Sequence, residues 1–239
     1  SSAKQDGRPE PASPMAKRKL FLHIGLPKTG TSYIQSFLGA HRPTLLKQRI
    51  LYPEAGTEAN NHKLLALPFL GETRKTRPDV RSYIGKKLVP LWFRLRDEIH
   101  RSDATTVILS SEYFSEAVAL RSLGWFCDRL DVEIAIIVYL RRQDRLIESG
   151  YNQEIKAGLQ TAKVDLGTTY RPEHDYEKLL DRWADAFGAT SLVVRTFEQA
   201  VAGPGILQEF LQIAGADLEV SDSGAERNEA LHPSLMEFR

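Results

Sequence analysis

The chain has 239 residues, and its 32 Lys and Arg against 31 Asp and Glu give a formal net charge of +1. This balance excludes a globally basic surface of the kind that recruits nucleic acid, so any anion site must be local. Cys127 is the single cysteine, which excludes an intrachain disulfide and a cysteine-based zinc cluster, while length and a hydrophobic content of 42% suit one α/β domain.

The first residues of the chain do not resemble a folded segment. Residues 1–16 are rich in Ser, Pro and charged side chains and nearly lack large apolar ones. We expect a disordered leader or an expression remnant there, and one folded domain over residues 17–239. No apolar stretch approaches the roughly 20 residues that a membrane-spanning helix needs. The sequence therefore predicts no transmembrane segment.

A glycine-bounded loop between a strand and a helix is the most informative feature. The apolar run Lys19–Ile24 predicts a strand, the loop spans Gly25 to Gly30, and helical spacing continues to about Leu38. A helix N-terminus after such a loop binds anions, because backbone N–H groups and the helix dipole point at the ligand. The spacing G-x-x-x-x-G-T-S is nearly that of a nucleotide kinase loop, but Thr31 stands where a kinase has lysine, and Lys28 lies within the loop instead.

The rest of the chain alternates between strand and helix patterns. We predict irregular structure over 41–80, a helix over 82–101 with Pro90 starting, ending or kinking it, strands over 105–109, 132–140 and 191–194, helices over 144–157, 173–187 and 206–213, and a loop over 158–171. This alternation predicts right-handed crossovers and a P-loop-like, three-layer α/β/α fold with a central parallel sheet. Ligands of such sheets lie beyond the carboxyl ends of the strands, where the loop, Glu112 and Arg141 all fall.

The loop resembles the 5′-phosphosulfate-binding loop of sulfotransferases that use 3′-phosphoadenosine 5′-phosphosulfate (PAPS). Residues 22–25 leading into 27–32 are similar to the bacterial and carbohydrate-type branch of that family. The resemblance implies that the donor is bound by Pro27, Lys28, Thr29, Gly30, Thr31 and Ser32. It also implies that Lys28 stabilises negative charge on the bridging oxygen as PAPS becomes 3′-phosphoadenosine 5′-phosphate (PAP). The sulfuryl group carries less charge than a γ-phosphoryl, so no metal is required.

Arg141 and Ser149 form the second part of the resemblance. Arg141 ends the most apolar predicted strand, and Ser149 follows eight residues later. Sulfotransferases contact the 3′-phosphate of PAPS with an arginine at a strand end and a serine at this spacing, and an arginine with a serine suits a phosphate chemically. The alternative is a solvated strand-end charge beside a surface helix residue. Arg142 lacks the spacing to Ser149.

An acceptor hydroxyl must lose its proton during transfer, which requires a general base. Glu112 is the first candidate, because it follows a strand that ends at the same edge of the sheet. The alternative role of Glu112 is to cap or salt-bridge the next helix. His62, within Asn60-Asn61-His62-Lys63, is the second candidate, since imidazole is suitably basic near neutral pH. The alternative for His62 is an ordinary surface histidine.

Two later residues could complete the donor site. Phe197 follows a late strand and resembles the aromatic position near the nucleotide in this family, where it could stack on adenine, although such an aromatic could equally be part of the core. Arg227 could close over the donor, as late basic segments do in sulfotransferases, or belong to a solvated tail. The scattered basic residues of the middle region could meet an anionic saccharide or be plain surface charge.

The resemblance implies a PAPS-dependent sulfotransferase that moves a sulfuryl group in line to a hydroxyl acceptor, which the branch suggests is a carbohydrate. We expect a soluble, cytoplasmic, bacterial enzyme that does not bind nucleic acid; a trimmed Golgi-type ectodomain is the alternative location. Two other functions stay open. One is a P-loop nucleotide kinase, and the other is a non-catalytic module that binds PAP.

Overall fold

A computed structural model describes residues 17–83, 85–144, 175–218 and 220. Within these residues, five parallel strands form one sheet in the order β2-β3-β1-β4-β5. The strands are β1 (Arg18–Ile24), β2 (Ile50–Leu51), β3 (Thr106–Ser111), β4 (Val132–Leu140) and β5 (Leu192–Thr196). β1, which is buried from Leu20 to Ile24, occupies the centre of the sheet. The prediction of a three-layer α/β/α fold with a central parallel sheet is confirmed.

The described helices lie between and after these strands. They are α1 (Thr31–Ala40), α2 (Arg42–Lys47), α3 (Lys63–Ala66), α4 (Glu72–Lys75), α5 (Pro78–Arg81), α6 (Pro90–Arg101), α7 (Leu120–Cys127), α8 (Tyr176–Phe187), α9 (Phe197–Ala202) and α10 (Ile206–Ala214). Short 3₁₀ turns span Leu67–Phe69, Glu112–Phe114, Asp128–Leu130 and Ala189–Ser191. None of the described helices is both long and apolar enough to cross a membrane.

The alternation of side chains along β1 divides the core into two layers. Leu20, Leu22 and Ile24 face one side, where they pack with buried residues of α6, α7 and α8. Phe21 faces the other side and packs with α1, α2, α9 and α10. Because successive strand residues point to opposite faces, a strand covered on both sides must be apolar throughout, as β1 nearly is. His23 is the exception on the second face.

Several predicted boundaries differ from the structure. The stretch 41–80 was expected to be irregular, yet it contains β2 and four short helices. The predicted helix over 82–101 begins only at Pro90, since proline suits the first helical turn but cannot continue a helix through it. The helix α7 had no predicted counterpart. The segment 144–157 lies outside the described residues except for Asp144, and 158–171 lies outside them entirely.

The strand register determines what meets at the carboxyl edge of the sheet. Ile24 of β1 pairs with Ser111 of β3, and the N–H of Gly25 donates to the carbonyl of Ser111 at 3.2 Å. On the other side, Leu140 of β4 pairs with Thr196 of β5. The loop after β1 therefore lies beside the start of the turn after β3, and the chain after β4 lies beside the start of α9.

Candidate functional site

The loop after β1 closes tightly on itself. A Cβ atom at Gly25 would overlap Cγ2 and Oγ1 of Thr31, so the two ends of the loop touch and only glycine fits at the first position. Inside the loop, the hydroxyl of Thr29 donates to the carbonyl of Leu26 at 2.7 Å, and the hydroxyl of Thr31 lies 3.4 Å from the same oxygen. Both threonines are buried. Their hydroxyls therefore hold the shape of the loop.

Two residues of the loop have left-handed backbone conformations. Lys28 has φ of 63° and Gly30 has φ of 75°, a conformation that side-chain-bearing residues adopt only rarely. Gly30 precedes α1 without a side-chain cap, and the first helical hydrogen bond runs from the N–H of Ile34 to the carbonyl of Gly30 at 3.1 Å. The N–H groups of the first turn of α1 thus have no intrahelical acceptor, which makes this end of the helix suitable for an anion.

The six loop residues expected to bind the donor differ in exposure. Pro27, Lys28 and Ser32 are exposed, whereas Thr29 and Thr31 are buried. Because the hydroxyls of the two threonines point at Leu26, their contribution to an anion would come from backbone N–H groups.

Arg141 lies against the loop, as the strand register requires. Its Nη1 donates to the carbonyl of Lys28 at 2.9 Å, and its guanidinium carbon lies 5.2 Å from the ring centroid of Phe197. The hydroxyl of Tyr176 donates to the backbone carbonyl of Arg141 at 2.7 Å. Among the described residues, the buried Nε of Arg141 has no acceptor. A buried donor left in this way fits an anionic oxygen.

The neighbour of Arg141 has a different environment. Arg142 is exposed and pairs with Asp144 at 2.7 Å, and its backbone N–H donates to the carboxylate of Glu198 at 3.1 Å. Its side chain thus points away from the loop contact that Arg141 makes. Ser149 and Arg227, which were also expected at the donor site, lie outside the described residues.

Phe197 lies beside both Arg141 and the loop. It is half-buried at the start of α9, and a Cβ atom at Gly30 would come within 3.8 Å of its Cε2 and 3.3 Å of Cγ2 of Ile206. The ring thus forms a wall beside both predicted anion-binding groups. This position is compatible with stacking on a base, although part of the ring is covered by Arg141.

Glu112 begins the 3₁₀ turn that follows β3. The cap of this turn is Ser111, whose hydroxyl accepts from the N–H of Tyr113 at 3.2 Å. In the part of the chain that the structure describes, the Glu112 carboxylate takes no hydrogen bond or ion pair, so the alternative that it caps or bridges the next helix does not hold. Burial and the carboxylate of Glu116 raise its pKa, while the ammonium of Lys28 acts in the opposite direction. The opposing influence of Lys28 indicates that its ammonium is close enough to act on the Glu112 carboxylate.

His62 is not available as a base. It is fully buried, its Nε2 lies 3.0 Å from the carbonyl of Pro53, and its Nδ1 accepts the backbone N–H of Ser110 at 3.2 Å. With Nε2 donating and Nδ1 accepting, both nitrogens are occupied. Burial lowers the pKa of His62 to about 3. The expectation of a loop histidine that reaches a substrate is therefore wrong: this side chain joins the loop before α3 to β3.

A buried polar cluster lies beneath the loop. Nδ1 of His23 lies 2.8 Å from the hydroxyl of Ser110. The same hydroxyl accepts from Nε2 of Gln35 at 3.2 Å. All three side chains are buried. The available signal in the sequence was a polar residue at position 23 within an otherwise apolar strand.

The basic residues of the middle region are largely paired. Lys63 lies 3.0 Å from Glu58, Arg74 bridges Asp79 and Glu116, and Lys75 lies 2.7 Å from Glu72. Arg77 and Arg81 are exposed. The idea that this group forms a surface for an anionic saccharide gains no support from these pairs, since their charge is already balanced.

Comparisons with known proteins place this geometry in context. No model of a known protein family matches the chain. Over 137 residues the chain is 31% identical to an uncharacterized protein of Archaeoglobus fulgidus; the alignment covers 56% of this chain and 37% of that protein, so the chain spans well under half of its length. A crystal structure of a sulfotransferase from Alicyclobacillus acidocaldarius superimposes with a TM-score of 0.54 at 20% identity, covering 92% of this chain and 89% of that one. The chain thus has the fold of a sulfotransferase.

The contact between the ends of the loop predicts the effect of Gly25→Ala. The added methyl group would overlap Thr31, so we expect the free energy of unfolding to fall by about 1–3 kcal/mol, as for other overpacked sites. Gly71→Ala is the control, because its Cβ would lie 3.6 Å from Val118 at φ of −67°, where alanine stabilises by about 0.4–1 kcal/mol. Urea unfolding of both variants measures the difference, and equal effects would contradict the closed loop.

The buried histidines predict how stability depends on pH. Burial lowers the pKa of His23 and His62 to about 3, against about 6.5 in an unfolded chain. Below about pH 6.5 the unfolded state binds protons that the folded state refuses, so the free energy of unfolding falls by about 1.4 kcal/mol per pH unit for each histidine. Urea unfolding between pH 7 and 5 should show this slope, reduced in His62→Asn and unchanged in His100→Asn. An unchanged slope in His62→Asn would show that its imidazole is accessible when folded.

Proposed function

We propose that the protein is a PAPS-dependent sulfotransferase that transfers a sulfuryl group to a hydroxyl acceptor. The observation that carries this proposal is the contact between Arg141 and the Lys28 carbonyl at 2.9 Å. It brings the residue predicted to bind the 3′-phosphate against the loop predicted to bind the phosphosulfate. A donor with one anionic group at each end matches two such neighbouring anion-binding groups.

The proposed binding mode assigns each end of the donor to different groups. Backbone N–H groups of the loop and of the first turn of α1, with the side chain of Ser32, would hold the 5′-phosphosulfate. Arg141 would bind the 3′-phosphate through the Nε that has no acceptor within the described residues. Ser149 and Arg227 remain part of this proposal as sequence-based predictions. Phe197 would contact the adenine beside Gly30.

The proposed transfer uses one side chain from the loop after β1 and one from the turn after β3. The acceptor oxygen forms a new bond to sulfur while the bond between sulfur and the bridging phosphate oxygen breaks. Lys28 stabilises the charge that grows on the bridging oxygen, and Glu112 takes the proton of the acceptor hydroxyl. The products are PAP and a sulfate ester. Burial raises the pKa of Glu112, which makes its carboxylate a stronger base than an exposed one.

The acceptor and the location of the protein are proposed from the sequence resemblance alone. A carbohydrate hydroxyl is our preferred acceptor because the loop resembles the carbohydrate-type branch. The cytoplasmic location stays a prediction. The kinase alternative is disfavoured by Thr31, the first residue of α1. Thr31 stands where a nucleotide kinase needs a lysine to reach the phosphates, and its side chain is only 2% exposed.

Nucleotide binding tests the proposed donor. PAP should raise the melting temperature without magnesium, and more than ATP does; at 100 times its dissociation constant a ligand adds about 2.7 kcal/mol of stability. Arg141→Ala should weaken PAP binding strongly in calorimetry, since hydrogen bonds to charged groups contribute about 1.5–3 kcal/mol. Arg142→Ala is the matched control with little effect, because its guanidinium pairs with Asp144.

Two outcomes would contradict this assignment. If ATP with magnesium stabilises the protein and PAP does not, the kinase reading replaces the proposal. If PAP binds wild type and Arg141→Ala equally, the 3′-phosphate lies elsewhere.

A carboxamide at position 112 tests the proposed base. Glu112→Gln should keep the fold and PAP affinity but lose roughly 10²–10⁴-fold in the rate of PAP formation from PAPS with a panel of saccharide acceptors. Glutamine keeps the size of the side chain but cannot take a proton. Glu58→Gln is the control, since Glu58 pairs with Lys63 and is not among the groups that shift the pKa of Glu112. A Glu112→Gln variant that binds PAP and turns over at the wild-type rate would remove Glu112 from the mechanism.

A further inference from the structure

The side chain and backbone of Ser110 connect three parts of the fold beneath the candidate site. Its hydroxyl lies 2.8 Å from Nδ1 of His23 and accepts from Nε2 of Gln35 at 3.2 Å. Its backbone N–H donates to His62 at 3.2 Å, and its carbonyl accepts the N–H of His62 at 2.9 Å. Ser110, His23 and His62 have no exposed surface, and Gln35 is 4% exposed. We call Ser110, His23 and Gln35 the buried triad.

The triad is a polar cluster inside an apolar layer of the core. It lies on the face of the sheet that α1 and α10 cover, where its neighbours are apolar and the ring of His23 packs against Phe210 and Tyr139. Replacing hydrogen-bonded partners together by apolar groups of similar shape is often nearly neutral for stability, whereas removing one partner alone is destabilising. The hydrogen bonds of Ser110, by contrast, favour one arrangement of the elements that they join, although Nε2 of His23 has no partner within the described residues.

The three members of the triad occupy informative positions along the chain. His23 stands two residues before Gly25, where the loop begins, and Ser110 stands two residues before Glu112. Gln35 lies in the second turn of α1, the helix whose N-terminus ends the loop. The triad therefore joins the strand that enters the loop, the helix that leaves it, and the strand that presents the proposed base. The hydrogen bond from Gly25 to Ser111 is the backbone counterpart at the edge of the sheet.

We propose that Ser110 is a positioning residue, which through His23 and Gln35 holds the loop and α1 at a fixed offset from the strand carrying Glu112. It does so from beneath the site and touches no reacting atom. The N–H groups of the loop can converge on an anion only if α1 is correctly oriented. The hydrogen bond from Gln35 to Ser110 joins α1 to β3. The expected effect on PAP binding rests on the proposed function, whereas the expected effect on the ligand-free loop does not.

Four variants separate positioning from simple stabilisation. Ser110→Ala breaks both hydroxyl contacts, and Gln35→Met breaks only the one to α1 and is the milder change should Ser110→Ala fold poorly. A triple variant, His23→Phe with Gln35→Leu and Ser110→Ala, replaces the whole triad by apolar groups. Ser102→Ala is the control, because it removes a serine hydrogen bond, to the carbonyl of Ile99 at 2.8 Å, at the end of α6, before β3 begins.

The expected results concern melting temperature, PAP affinity and hydrogen exchange of the amides of residues 31–38 without ligand. Ser110→Ala and Gln35→Met should lower the melting temperature, weaken PAP binding by about two- to tenfold, as for one lost neutral hydrogen bond, and speed exchange in α1. The triple variant should regain melting temperature while PAP affinity and slow exchange stay lost. Ser102→Ala should change only the melting temperature.

The inference is overturned if the triple variant regains PAP affinity and slow exchange together with its melting temperature, because the triad would then act only through stability. It is also overturned if Ser110→Ala and Gln35→Met leave the exchange of α1 at the wild-type rate. Failure of wild type to bind PAP would instead sink the proposed function, and the exchange comparison would still decide the role of Ser110.

Discussion

The candidate site depends on the parallel register of β1 between β3 and β4. Ile24 lies opposite Ser111, and the neighbouring strands end at the same edge of the sheet. Residues that are distant in sequence are then brought to one edge of the sheet by strand pairing. The loop of Lys28 follows β1, Glu112 follows β3, and Arg141 follows β4. Because one register error would turn every side chain of a strand to the opposite face, the two apolar layers around β1 secure the site as well as the core.

The backbone, more than the side chains, shapes the loop that we propose binds an anion at this edge. Gly25 permits close contact with Thr31, and the hydroxyl of Thr29 holds the carbonyl of Leu26 inward. Lys28 and Gly30 then turn through left-handed conformations. This arrangement leaves the first N–H groups of α1 directed outward. A chain with a net charge of +1 can in this way build a strong local anion site without a basic surface.

Charge pairing distinguishes this edge from the neighbouring surface. Lys63, Arg74 and Lys75 all have carboxylate partners at 3.0 Å or less. Arg141 instead rests on a backbone carbonyl and an aromatic ring, neither of which cancels its charge. Glu112 likewise lacks an ion-pair partner in the described part of the chain and has a raised pKa. Within the described residues, Arg141 and Glu112 thus both lie at the carboxyl edge of the sheet without an ion-pair partner.

The sequence by itself determined the architecture and the loop. The run from Lys19 to Ile24, the glycines at 25 and 30, and the apolar stretch ending at Arg141 are local signals, because strand burial, left-handed turns and helix starts depend on neighbouring residues. The tertiary structure alone decided what the isolated residues do. His62 looked like a loop histidine, but it is buried and hydrogen-bonds to Ser110 of β3. Ser110 and Gln35 gave no local signal because their partners are far away in the chain. Burial and partner choice arise from packing between distant segments, and the spacing of residues along a chain does not encode them.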